Sequence, residues 1–224
     1  VFFHSHERCI FIGLGVTDER PLFTFQTAAG ADFDIGSNGV TLENLRFDLT
    51  GVDALTGPID VNSSGCNIKN CEFITADSTG QAVVAIVTDA NAGRFNLVDC
   101  YFKGDMIAGT TSAVRIVGGV NHQIRNCYFE GNYKLTAGAI EVTTTAAGLL
   151  IKDSEIINNT PSCTTAINFV RGSTATIVGC LMSILSGTDP VRIQELNSFN
   201  GQGRITTGHN YFRGATTVSA GTLL

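Results

Sequence analysis

A chain of 224 residues can hold one large domain or two small ones, and 43% hydrophobic with only 15% charged residues is too apolar a composition for disorder. No apolar run approaches the roughly 18 residues that cross a bilayer as a helix, so no membrane partner is expected. The formal charge of −6, without a concentrated basic face, argues against nucleic acid as well.

Residues 1–39 read as an N-terminal coil carrying an insertion. The chain begins at Val1 with no initiator Met, basic n-region or signal-type apolar stretch, and localisation is not legible from that end. His4, His6 and Glu7 lie close together, and His-x-His on a strand can offer two ligands on one face. No third ligand is identifiable, so the simpler reading is a terminal strand with solvent-facing histidines. Gly13-Leu14-Gly15 reads as a turn and not as a phosphate loop.

From residue 40 to 212 one phrase recurs: an apolar residue, any residue, Asn or Asp, a small residue, any residue, and a large apolar one. It occurs at Leu42–Phe47, Ile68–Phe73, Leu97–Phe102, Ile124–Phe129 and Ile151–Ile156, with weaker copies at Ile177–Met182 and Thr207–Phe212. The small-residue positions 45, 71, 100, 127, 154, 180 and 210 are 26 to 30 residues apart. A second column follows about half a period away, in Ile59-Asp60-Val61, Val114-Arg115-Ile116, Ile140-Glu141-Val142, Ile167-Asn168-Phe169 and Val191-Arg192-Ile193. Each of these alternates apolar and polar as a strand buried on one side does. Residues 213–224 form a Thr/Ala/Gly-rich end segment.

Three short strands per period of about 27 residues predict an all-β fold, a single-stranded parallel β-helix solenoid of about seven to eight coils filling 1–224 as one domain. At about 4.8 Å per coil the rod is on the order of 35 to 40 Å long. Leucine-rich repeats share the period but need a multi-Leu frame and a helix-forming half that this chain lacks. Asn44, Asn70, Asp99, Asn126 and Asp153 sit where the wall turns, because Asn and Asp tolerate the left-handed backbone better than other non-glycine residues. Stacked Asn side chains can satisfy one another from coil to coil. The following residue points into a tight interior, and Phe47, Phe73, Phe102 and Phe129 should stack behind it.

Of the seven cysteines, Cys71, Cys100, Cys127 and Cys180 occupy that inward column and read as buried filler, with no disulfide, metal or other cofactor expected. Opposite charges one coil apart, Glu43 with Lys69, Arg46 with Glu72 and Arg115 with Glu141, read first as cross-strand pairs. If the chain were an enzyme, Asp60, Glu141 and Glu155 would be its candidate acids. Tyr101 and Tyr128 are outward neighbours one coil apart, with Tyr211 in the same column, a set that suits a subunit interface or a sugar face.

The recurrent Asn-small phrase resembles the right-handed parallel β-helix repeat of the pectin-lyase-like superfamily, from about Cys9 to Phe212. That superfamily includes polysaccharide lyases, glycosidases, epimerases, phage tail spikes and other virion proteins, so the resemblance speaks for fold more than activity. The Asn-Thr-Asp, Asp-Asp, Gly-His-Gly and Arg-Ile-Lys segments of polygalacturonases and the calcium-binding aspartates of pectate lyases are missing. Gly208-His209-Asn210 is only superficially similar, since it falls in the turn phrase of the last coil. A bare β-helix of this kind is closest in character to the phage virion members. The resemblance then implies a structural protein on the virion surface, a capsid decoration (cement) protein or tail-spike part. Its partners would be itself, as a homotrimer, and the major capsid or tail proteins, with surface polysaccharide as a further candidate. The alternative is a polysaccharide-degrading or carbohydrate-binding β-helix.

Overall fold

A computed structural model describes residues 2–3, 7–26, 32–50, 56–75, 83–104, 110–133, 137–159, 165–187, 191–193 and 205–215. One turn shows how the rest is made. Ser112–Ile116 runs along a first wall (A), Gln123–Arg125 along a second (B) and Tyr128–Gly131 along a third (C). Each strand pairs in parallel with its equivalents in the turns before and after, Val114 with Ile86 and Ile140, Ile124 with Leu97 and Ile151, Phe129 with Phe102 and Ile156. The result is three eight-stranded parallel sheets, a parallel β-solenoid. A small extra ladder joins Gly119–Val120 to Ala146–Ala147 between walls A and B, and the described helical structure is a single 3₁₀ turn, Thr17–Glu19.

About five turns, from Phe33 to Asn158, are regular on all three walls. This corrects the expected seven to eight. The repeat phrase marks one bend per coil, so it persists into end turns whose other walls depart from the pattern; wall C, for example, lengthens to the seven-residue strand Leu181–Gly187.

The interior is continuous. Phe23, Phe47, Phe73, Phe102 and Phe129 stack face to face along wall C, with successive ring centroids 5.6, 5.0, 4.5 and 4.8 Å apart. Coil spacing sets this distance, since parallel neighbours recur every ~4.8 Å, close to an aromatic stacking distance. From the second turn on, the bend from wall B to wall C is made by one residue in the left-handed region, Gly179 (φ 68°) in one turn and a non-glycine residue in the others. The non-glycine residues are Asn44 (φ 58°), Asn70 (50°), Asp99 (55°), Asn126 (53°), Asp153 (49°) and His209 (52°). Asn70 Nδ2 donates to Asn44 Oδ1 at 3.1 Å, and Asn126 Nδ2 donates to Asp99 Oδ1. The five bend residues expected from the sequence thus share the left-handed backbone, and their side chains bond in two pairs, 44 with 70 and 99 with 126.

Behind the bend, Cys71, Cys100, Cys127 and Cys180 point inward and are buried. Each thiol donates to the carbonyl two residues earlier, at 3.2 Å from Cys71 to Lys69 and 3.3 Å from Cys100 to Val98. The six described cysteines are free. In the first turn the bend is replaced by a longer loop, 13–21, seated on the next turns: Asn44 Nδ2 donates to the carbonyls of Gly13 and Gly15. Gly13 is required there, because a Cβ would stand 2.0 Å from the Asn44 carbonyl oxygen.

Candidate functional site

Wall C presents its side chains alternately in and out, so one row of outward positions runs Arg46, Glu72, Tyr101, Tyr128, Glu155, Leu181, Tyr211. Tyr101 and Tyr128 are stacked, centroids 4.9 Å apart and planes 10° from parallel, and both are half-buried. Tyr211 shares their row but stands apart, with Glu155 and Leu181 between, so the structure joins two of the three tyrosines.

Carboxylates surround the stack. The Tyr128 hydroxyl donates to Glu130 Oε2 at 3.2 Å. Burial, reinforced by the Glu130 charge, pushes the Tyr128 phenol up to about 12. Tyr101 is raised by burial, then by Glu130 and Glu72. Glu72 is itself held by Arg46 at 2.8 Å and Arg20 at 3.0 Å, the latter from the 13–21 loop. A flat, rigid aromatic face fringed by acceptor oxygens can stack on a sugar ring and accept its hydroxyl protons, or pack against a second protein surface.

The candidate acids do not converge. Asp60 and Glu141 lie in one row of wall A, with Val87 and Arg115 between them, while Glu155 is on wall C. Three turn steps separate the first two, roughly 14 Å at ~4.8 Å per step, beyond the span of a glycosidase carboxylate pair. Glu141 is bound by Arg115 at 2.8 Å, as the pairing by coil spacing predicts. Arg46 and Glu72 pair likewise, but Glu43 and Lys69, neighbours in register, form no ion pair.

Asp60 belongs to an acidic group that the sequence reading did not single out. Asn62 Nδ2 donates to Asp34 Oδ1 at 2.9 Å and Asp60 Oδ2 at 3.2 Å. Burial raises the Asp60 carboxyl, and Asp34, Asp32 and Asp89 add to the rise against the lowering Asn62 bond. Extending the register to wall A, where Asp34 and Asp60 are direct partners, would have found it. Among the described residues no group of three or more His, Cys, Asp or Glu side chains is arranged to hold a metal ion. His4 and His6 lie outside the described residues, and Glu7 is exposed. An open recess of ≈ 520 Å³ lies where the 13–21 loop meets the bends, between Ile12, Val16, Arg20, Glu43, Asn44 and Asn70.

Comparison with known proteins returns no family model, no curated protein and no solved structure that matches this chain. The chain is a parallel β-solenoid. Likeness to the β-helix superfamily rests on the walls, the bend ladder and the internal stacks described above.

Proposed function

We propose that this protein is a structural component of a phage virion, a rigid β-solenoid mounted on the particle surface as a capsid decoration (cement) protein or as part of a tail spike. In that role it is a homotrimer that also contacts the major capsid or tail proteins. The observation that carries the reading is the use made of the outward polar groups. Arg20, Arg46 and Glu72, Arg115 and Glu141, and the bend asparagines tie turn to turn, and the three candidate acids stand on separate sites. Such walls serve a load-bearing rod better than a catalytic groove.

Quantitative mass spectrometry of purified particles from the protein's source tests this. Copies in a fixed ratio to the shell protein support decoration, and a handful per particle supports a spike. Absence from particles overturns the reading.

One observation favours a second reading, carbohydrate binding: the half-exposed Tyr101–Tyr128 stack beside Glu130 and Glu155. On an array of polysaccharides, binding that disappears in Tyr101→Ala and Tyr128→Ala while the fold is retained would support it. Cleavage of such a polymer, lost on substituting Asp60, Glu141 or Glu155 singly, would instead make the chain an enzyme.

A further inference from the structure

Among the described residues seven large apolar side chains are exposed, and their placement is uneven. Four of them, Ile12, Leu14, Val16 and Leu22, gather in the first turn where wall B bends into wall C, and a fifth, Tyr211, stands on the same edge at the opposite end of the rod. Leu14 and Val16, 86% and 69% exposed, sit on the 13–21 loop that crosses this edge in the first turn. Exposed apolar groups gathered on one feature mark a contact surface, whereas scattered ones would not.

We propose that copies of this chain meet along this edge. They pack side by side with parallel axes, wall B of one against wall C of the next, so that the edge lines the rotation axis of a closed ring. The contact is heterologous, and closure satisfies it in every copy. The inference deepens the self-association in the reading above and is independent of attachment to a particle.

The occupant is argued from complementarity. Rotation about an axis parallel to the rod keeps every turn at its own height, so each turn of wall B faces the same turn of wall C in the neighbour. The positions next to the edge, one turn after another, are Val98 opposite Tyr101, Arg125 opposite Tyr128, Lys152 opposite Glu155 and Val178 opposite Leu181. That order places an apolar group on an aromatic ring, a guanidinium on an aromatic ring, a cation on an anion, and an apolar group on another. Within one chain Lys152 pairs with Asp153 at 3.4 Å and not with Glu155. Arg125 and Lys152 are exposed.

In the second and third turns the edge is occupied by the 13–21 loop, whose Arg20 holds Glu72. There the exposed Leu14 and Val16 meet their own copies at the axis. Asp99 and Asp153 also lie on the edge and would face like charges, but Asn126 donates to the first and Lys152 pairs with the second.

The test is size-exclusion chromatography with light scattering on the full chain, over a range of micromolar concentrations. The wild type is expected as one fixed small multiple that does not grow with concentration. Lys152→Glu places Glu against Glu155 in every contact and should raise the dissociation midpoint roughly tenfold or more. Glu155→Lys should do the same, and the double variant K152E/E155K should recover assembly in part, short of wild type because Asp153 loses its Lys152 partner. Leu14→Asp, on a loop side chain outside the walls, should dissociate the ring with its circular dichroism unchanged. A monomeric wild type overturns both this inference and the proposed self-association. An oligomer that Lys152→Glu and Leu14→Asp leave intact overturns the edge alone, and particle copy number is decided separately in either case.

Discussion

His122 is fully buried between walls A and B and is kept neutral there. Burial lowers its pKa below the ordinary 6.5, against a partly offsetting bond from Nε2 to the Gly118 carbonyl at 2.6 Å. Its Nδ1 accepts the Phe95 backbone N–H at 3.4 Å, which fixes the proton on Nε2. The sign follows from linkage. The unfolded chain binds a proton at the ordinary value and the folded chain only below it, so this stability is complete above 6.5 and lost as pH falls through the interval. Denaturant midpoints should therefore drop from about pH 7 to about pH 5, and His122→Gln should flatten that slope. Unchanged slope in the variant would assign the acid sensitivity to carboxylates. Next to this ring Gly119, at φ 87°, has no room for a side chain: a Cβ would sit 1.8 Å from the Ala92 carbonyl oxygen. At the other corner, Asn126→Gly and Asn126→Val both lose the bond to Asp99, and Asn126→Val should cost about 1–2 kcal/mol more than Asn126→Gly in thermal melting for placing a β-branched residue at φ 53°. Equal melting of the two variants would mean the bend is not the constraint.

The strands here are short, three residues in most of walls B and C, and none would persist alone. Their stability comes from the columns they build, of which the phenylalanine stack is the largest. Phe102 has a ring 4.5 Å away on one side and 4.8 Å on the other. Phe102→Ala should cost about 3–5 kcal/mol in chemical denaturation, and Phe102→Leu distinctly less. A loss below about 1 kcal/mol would show that neighbouring turns collapse into the space. This column was legible in the sequence because Phe recurs at one place in a phrase whose register never slips between Leu42 and Ile156. The bend ladder and the thiol column were legible for the same reason. His122, the Asp34–Asp60 group and the 13–21 loop were not. They sit at corners and rows that the phrase does not index, where coil length varies and register must come from pairing. The Glu43–Lys69 pair shows the converse limit: register makes two side chains neighbours, but rotamers and competing partners decide whether they touch.

As a whole the molecule is close to one-dimensional. Every described strand pairs with its equivalents in adjacent turns, so stability is nearest-neighbour and opening can begin at either end. The tyrosine row shares this arrangement. Spectrophotometric titration of Tyr128 should show ionisation near 12 in the folded rod, and Glu130→Gln should bring it down. A phenol that stayed at 12 in that variant would leave burial, with smaller contributions from Tyr101 and Glu155, as the cause.

The inward thiols at 71, 100, 127 and 180 mark four of the rod's turns from inside. Cys71, Cys100, Cys127 and Cys180 belong to four different coils, and burial raises the Cys100 thiol well above its ordinary range. A closed turn keeps these thiols buried, and an opened one exposes sequence-identified alkylation sites. A timed pulse of alkylating agent, read peptide by peptide, becomes a map of where the solenoid unzips. Cys180 modified well before Cys100 would mean fraying from one end, and equal rates would mean that the whole stack lets go at once.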